Sequence, residues 1–115
     1  MEFIDNTLIE DFSTEGAVLC KGIFLDWLDP LRIGVDKLIQ NPSVRERSYT
    51  PEDGTASFFQ DLVNWDRIPE FKDFIFKSKI GFYAAKLMKS KKSRFFHDHV
   101  LVKEPGSSIV TPWPV

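Results

Sequence analysis

Apolar residues recur at helical spacing in four places along the chain and gather into strand-like runs in three. Leu8, Ile9 and Phe12 share one face of a short helix over Thr7–Phe12, with Asn6 or Thr7 as its cap. Gly16 ends it. Ala17–Lys21 then reads as a short buried strand. Leu31, Val35, Leu38 and Ile39 mark an amphipathic helix over Asp26–Gln40, in which Pro30 is tolerated near the first turn. Asn41-Pro42 stops it. Ser43–Thr55 is polar, contains Pro51 and Gly54, and is expected to be a loop. Ser57–Leu62 is a short strand candidate. Pro69-Glu70 opens a third helix, with proline at its first position and acids in its first turn. Phe71, Phe74 and Ile75 form its apolar stripe. A fourth helix, from Lys79 or Ile80 to Met88, is expected to bury Ile80, Tyr83, Ala84, Leu87 and Met88. Ser90–Ser93 breaks the pattern, and Phe95–Lys103 is the strongest strand in the chain.

With 115 residues there is room for one domain, taken as 1–115. Its 43% hydrophobic and 28% charged residues are ordinary for a globular chain. Eleven phenylalanines are not, and they call for a large apolar interior or for a partner segment to cover them. The single cysteine, Cys20, sits in an apolar run and reads as a buried, inert thiol. No basic leader precedes an apolar stretch, and no apolar run is long enough to span a bilayer, so the expectation is a cytoplasmic chain with no membrane partner.

The net charge of −2 hides an asymmetry. Lys77–Arg94 holds seven basic residues and no acid, leaving −9 on the remainder. Such a block can meet a phosphorylated ligand or nucleic acid. The plainer reading is a solvated helix end, with lysines complementing the helix dipole. Aromatics interleave poorly with these basic residues and no nucleic-acid motif is present, which argues against nucleic acid.

His97-Asp98-His99 is the first candidate site. On a strand the two imidazoles would share one face and Asp98 the other. Two histidines at that spacing can share a metal, but a third ligand is needed and the chain has no other histidine. The simpler expectation is that both hydrogen-bond along a polar interior face, and no residue is assigned as a metal ligand. Lys103-Glu104-Pro105-Gly106 leaves the strand through a turn in which proline precedes glycine.

Taken together, Phe96-His-Asp-His-Val-Leu-Val-Lys-Glu-Pro-Gly and the following Thr111-Pro112-Trp113 form a specific string. It resembles the approach to the iron site of the phytanoyl-CoA dioxygenase family. Upstream, Phe58–Trp65 with Ile68-Pro69-Glu70-Phe71 is similar to the segment before that family's helices. Ile80–Met88 resembles the helix leading to the strand, and Glu15–Leu19 with Gly22 its opening strand. The likeness spans roughly Phe12–Trp113.

What the resemblance implies is an α+β chain: an incomplete double-stranded β-helix (jelly-roll) with N-terminal helices packed outside. It further implies a non-haem Fe(II), 2-oxoglutarate-dependent hydroxylase acting on a small-molecule substrate, its iron held by two histidines and a carboxylate. In the family, His-x-Asp follows this Pro-Trp. Here Trp113 is followed by Pro114-Val115, and the distal histidine and the arginine that anchors 2-oxoglutarate have no counterpart. The expectation is therefore a catalytically incompetent N-terminal portion that does not bind Fe(II) and 2-oxoglutarate by itself. His97, Asp98, His99 and Lys103 remain as candidates for the wall of the co-substrate pocket. Two other readings stand beside this one. One is a binding module that uses Lys77–Arg94; the other is a strand-pairing protein forming homo-oligomers through exposed strand edges.

Overall fold

Asp5 starts the first helix, its carboxylate accepting the Leu8 amide at 2.9 Å, so the cap lies one residue before Asn6. Helix α1 runs Asn6–Glu15 and ends at Gly16, whose φ of 80° is the left-handed conformation that suits glycine. The computed structural model describes residues 4–106. Within them lie four α-helices and one two-stranded antiparallel sheet, an α+β arrangement.

Ala17–Lys21 is not a strand. It crosses as an irregular connector with Leu19 73% exposed and Cys20 only half-buried, which corrects both the buried strand and the buried thiol. An apolar run of five residues becomes a strand only with a ladder partner, and none of the described residues supplies one here. A 3-10 turn, Leu25–Trp27, then leads into α2, Leu28–Gln40. Phe24 and Trp27 lay their rings edge-on against Phe74, with centroids 5.1 and 5.7 Å apart.

Helix α3 spans Pro69–Lys77, with proline at the start as its sequence signalled, and α4 spans Ile80–Leu87. On α4 the buried residue is Ala85, whereas Met88 is half exposed, a correction to the expected stripe. Helices α2 and α3 approach so closely that Gly34 is buried against Phe71. A Cβ at Gly34 would stand 2.7 Å from the Phe71 ring. Lys37 reinforces this pairing, its ammonium donating to both Glu70 oxygens at 2.9 and 2.8 Å.

Strand β1, Phe58–Leu62, pairs with β2, His99–Lys103, from Phe58↔Lys103 to Leu62↔His99. The expected strand began at Phe95, but residues 95–98 are irregular. On its other edge β1 bonds part of the expected loop: Tyr49 exchanges both backbone bonds with Phe58 at 2.8 Å, and the Arg47 amide reaches the Gln60 carbonyl. Leu38, Ile68 and Phe71 form the core, with Leu31, Val35, Phe59, Trp65 and Val100 packed around them. Immediately after β1, Val63 has φ 57°, a left-handed conformation that costs a β-branched residue about 1–2 kcal/mol.

Asp61 is buried at the β1 edge. Its carboxylate accepts the Ser43 hydroxyl at 2.5 Å and the Ser43 amide at 2.7 Å, tying the loop after α2 to the sheet. Burial pushes this carboxyl up. The bonds from Ser43, the Leu62 amide and the Asn64 side chain outweigh burial and hold it below its ordinary value.

Two predictions follow from this packing. Gly34→Val should lower stability by about 1–3 kcal/mol in urea denaturation, through overpacking against Phe71; an unchanged midpoint would refute the close approach. Because the folded Asp61 carboxyl sits below its unfolded value, the stability it contributes is full above about pH 4 and is lost as pH falls through the folded value. Asp61→Asn should therefore lose about 1–2 kcal/mol at pH 7 and progressively less toward pH 2. A loss that is constant with pH would count against the ionised latch.

Candidate functional site

Position 98 explains why the expected strand is interrupted. The Asp98 carboxylate accepts the Asn64 amide through both oxygens, at 3.0 and 2.8 Å, and the Trp65 amide at 2.8 Å. Its backbone carbonyl accepts the Val63 amide at 3.1 Å. These bonds draw residues 63–65 and 98 together, clamping the turn that delivers Ile68 and Pro69 to α3. Charge-assisted bonds of this kind are among the stronger ones in proteins.

The neighbouring candidates are placed differently. His97 is exposed, packs its ring against Phe96 with centroids 4.6 Å apart and planes tilted by 51°, and has Nδ1 3.1 Å from the Asp98 carbonyl oxygen. His99 begins β2 opposite Leu62 and is also exposed. Since only His99 lies in the strand, alternation does not put the two imidazoles on one face. Lys103 closes the ladder opposite Phe58, its ammonium 5.2 Å from the centre of that ring. The Pro112-Trp113 motif lies outside the described residues.

Along β2, Val100 packs on the core, so Val102 shares that face and His99, Leu101 and Lys103 alternate onto the other. Beside the strand runs an open, largely apolar groove of about 480 Å³. Leu31, Val35, Phe74 and Ile80 line it from the helices, and His99, Val100 and Leu101 from β2. The sequence held no signal for this groove, because it is made where three helices meet one strand.

The donor set does not fit the family's iron site. Asp98 spends its carboxylate on backbone amides, and the described residues bring together no group of three His, Cys, Asp or Glu side chains. No step through iron is assigned to these residues. The basic block is partly committed as well. Lys77 pairs with Asp73 at 3.2 Å, Lys89 with Glu10 at 3.1 Å, and the Lys86 ammonium lies 5.7 Å from the centre of the Phe82 ring. Among the described residues, no helix is long and apolar enough to cross a membrane.

No family model, curated protein or solved structure matches the chain.

Asp98 and His97 separate structure from ligation. Asp98→Ala should cost about 2–3 kcal/mol, because two half-buried amides lose a charged acceptor. His97→Ala should stay within about 0.5 kcal/mol. Equal effects in thermal or urea unfolding would contradict the clamp.

Proposed function

We propose that the chain is the outer helical layer and first strand pair of a phytanoyl-CoA-dioxygenase-like Fe(II), 2-oxoglutarate-dependent hydroxylase. The observation that carries this reading is the division of the sheet into two faces. One rests on the helices through Val100 and Phe59, and the other presents His99, Leu101 and Lys103. In a jelly-roll of this kind that second face would line the barrel. Lys103 would then supply positive charge toward an anionic co-substrate, and Leu101 an apolar wall. The string Phe96–Gly106 with Thr111-Pro112-Trp113 supports the same reading from the sequence.

On this proposal the iron ligands come from a His-x-Asp pair that these 115 residues do not carry. The chain holds helices against the sheet and shapes one side of a pocket, while oxygen chemistry belongs to the completed domain. The ion pairs of Lys77 and Lys89 favour this reading over a phosphate-binding module.

Anaerobic titration of the purified chain with Fe(II) and 2-oxoglutarate should give no visible charge-transfer band. A band would make His97 and His99 ligands and overturn the placement of the iron site outside these residues. The family assignment has its own check, which is to sequence the source transcripts across codon 113. A His-x-Asp codon pattern after Trp113, followed downstream by another histidine and an arginine, is the expected result. Transcripts that all close at Val115 without it would sink the oxygenase reading.

A further inference from the structure

The turn that follows α4 brings exposed apolar groups and unpaired cations to one place. Ile75, Ile80, Ala84, Met88, Phe95 and Phe96 line an open depression of about 270 Å³, together with Arg94. Phe96 is 88% exposed, Met88 53% and Phe95 46%. Exposed apolar side chains that are clustered, rather than scattered singly, mark a contact surface.

Charge is the second observation. Positions 74–97 hold no acid. Lys89 is taken up by Glu10, but Lys91, Lys92 and Arg94 are exposed and pair with no acid among the described residues. Lysines in the last turn of a helix complement its dipole, an effect that fades beyond that turn. These three lie four to seven residues past Leu87, the end of α4, so the dipole does not account for them.

The turn is also braced. The Ser90 amide donates to the Ala85 carbonyl at 2.9 Å, and the Ser93 hydroxyl to the Gly81 carbonyl at 2.6 Å. The Ser90 hydroxyl donates to the Lys92 carbonyl at 2.7 Å and accepts the Lys92 amide at 3.3 Å. Cations carried on a turn held this way lose little backbone freedom when they bind.

We propose that this face docks on an anionic phospholipid surface. Phe96, Phe95 and Met88 enter the boundary between headgroups and acyl chains, while Lys91, Lys92 and Arg94 meet lipid phosphates. Attachment of this kind needs no spanning helix, and the expectation of no membrane partner rested on leader and spanning segments alone. A bilayer is favoured over nucleic acid because Ile75, Ile80, Ala84 and Met88 offer no ring on which a base could stack. Acyl chains need none.

The inference goes beyond the oxygenase reading and rests only on residues 75–96. Its failure would leave that reading untouched, and transcripts without His-x-Asp would leave the lipid contact untouched.

Cosedimentation with vesicles tests it. The unaltered chain should bind vesicles of three parts phosphatidylcholine to one of phosphatidylserine, should not bind phosphatidylcholine alone, and should be released as salt is raised. Phe96→Ala, at an exposed position, should weaken binding by about fivefold or more with unchanged thermal unfolding. Lys91→Gln with Lys92→Gln and Arg94→Gln should weaken it about a hundredfold, since each cation near such a surface contributes a factor of about five. Lys21→Gln with Arg32→Gln and Arg47→Gln removes the same charge elsewhere and should leave most of the binding in place. No binding to the anionic vesicles would overturn the proposal, as would equal binding to phosphatidylcholine alone. So would full binding by Phe96→Ala, or a loss in the control triple that matches the loss in the patch triple. Single-stranded RNA of random sequence is the competing ligand. Fluorescence anisotropy showing it to bind through the same three cations more tightly than the vesicles would assign the face to nucleic acid instead.

Discussion

The Asp98 carboxylate holds the two halves of this chain together. Before it lie the helical hairpin of α3 and α4 and the basic turn; after it lies β2. By accepting the amides of Asn64 and Trp65, Asp98 fixes where β2 begins and so which residues face β1. The same bonds orient the turn from which Ile68 enters the core and Pro69 starts α3. Ile68 and Phe71 in turn meet Leu38 and Gly34 of α2. Sheet register, helix entry and core contact thus depend on one side chain, and a carboxylate suits the task because it can accept from several amides at once.

The helices were legible where local chemistry decides the outcome. Pro69 at the head of α3, Gly16 behind α1 and Asn41-Pro42 after α2 carry their instructions within a residue or two of where they act. Strand β1 was legible for a related reason, since its run is short and bounded. The misreadings share a different cause. Ala17–Lys21 has strand composition without a ladder partner, and Phe95–Asp98 has strand composition but is pulled off the ladder by bonds spanning more than thirty residues. The pairing of Tyr49 with Phe58 lies in a stretch that is polar by composition, where backbone groups do the bonding and side chains give no notice.

The candidate site divides the same way. That His99 and Lys103 share a face follows from strand alternation, and the sequence shows it. That His97 does not join them follows from the break at Asp98. A carboxylate between two histidines invites a reading as metal chemistry. Its bonds to the Asn64 and Trp65 amides make it part of the framework instead. Asp61 is a second case: nothing around it in the sequence announces that Ser43, eighteen residues earlier, supplies both a hydroxyl and an amide.

Val63 gives this framework a temporal character. Its left-handed backbone is uphill for a β-branched residue and is held by neighbours: its amide bonds Asp98, and its carbonyl accepts the Arg45 guanidinium at 2.6 Å. Only when both the Asp98 and the Arg45 bonds part is Val63 free to relax to an extended conformation and swing Asn64 away from its acceptor. Re-closing then requires climbing back over that conformational rise before any bond re-forms. The end of β1 and the entrance to α3 are therefore tied to each other through this corner, since the bonds that hold Val63 also hold Asn64 and Trp65.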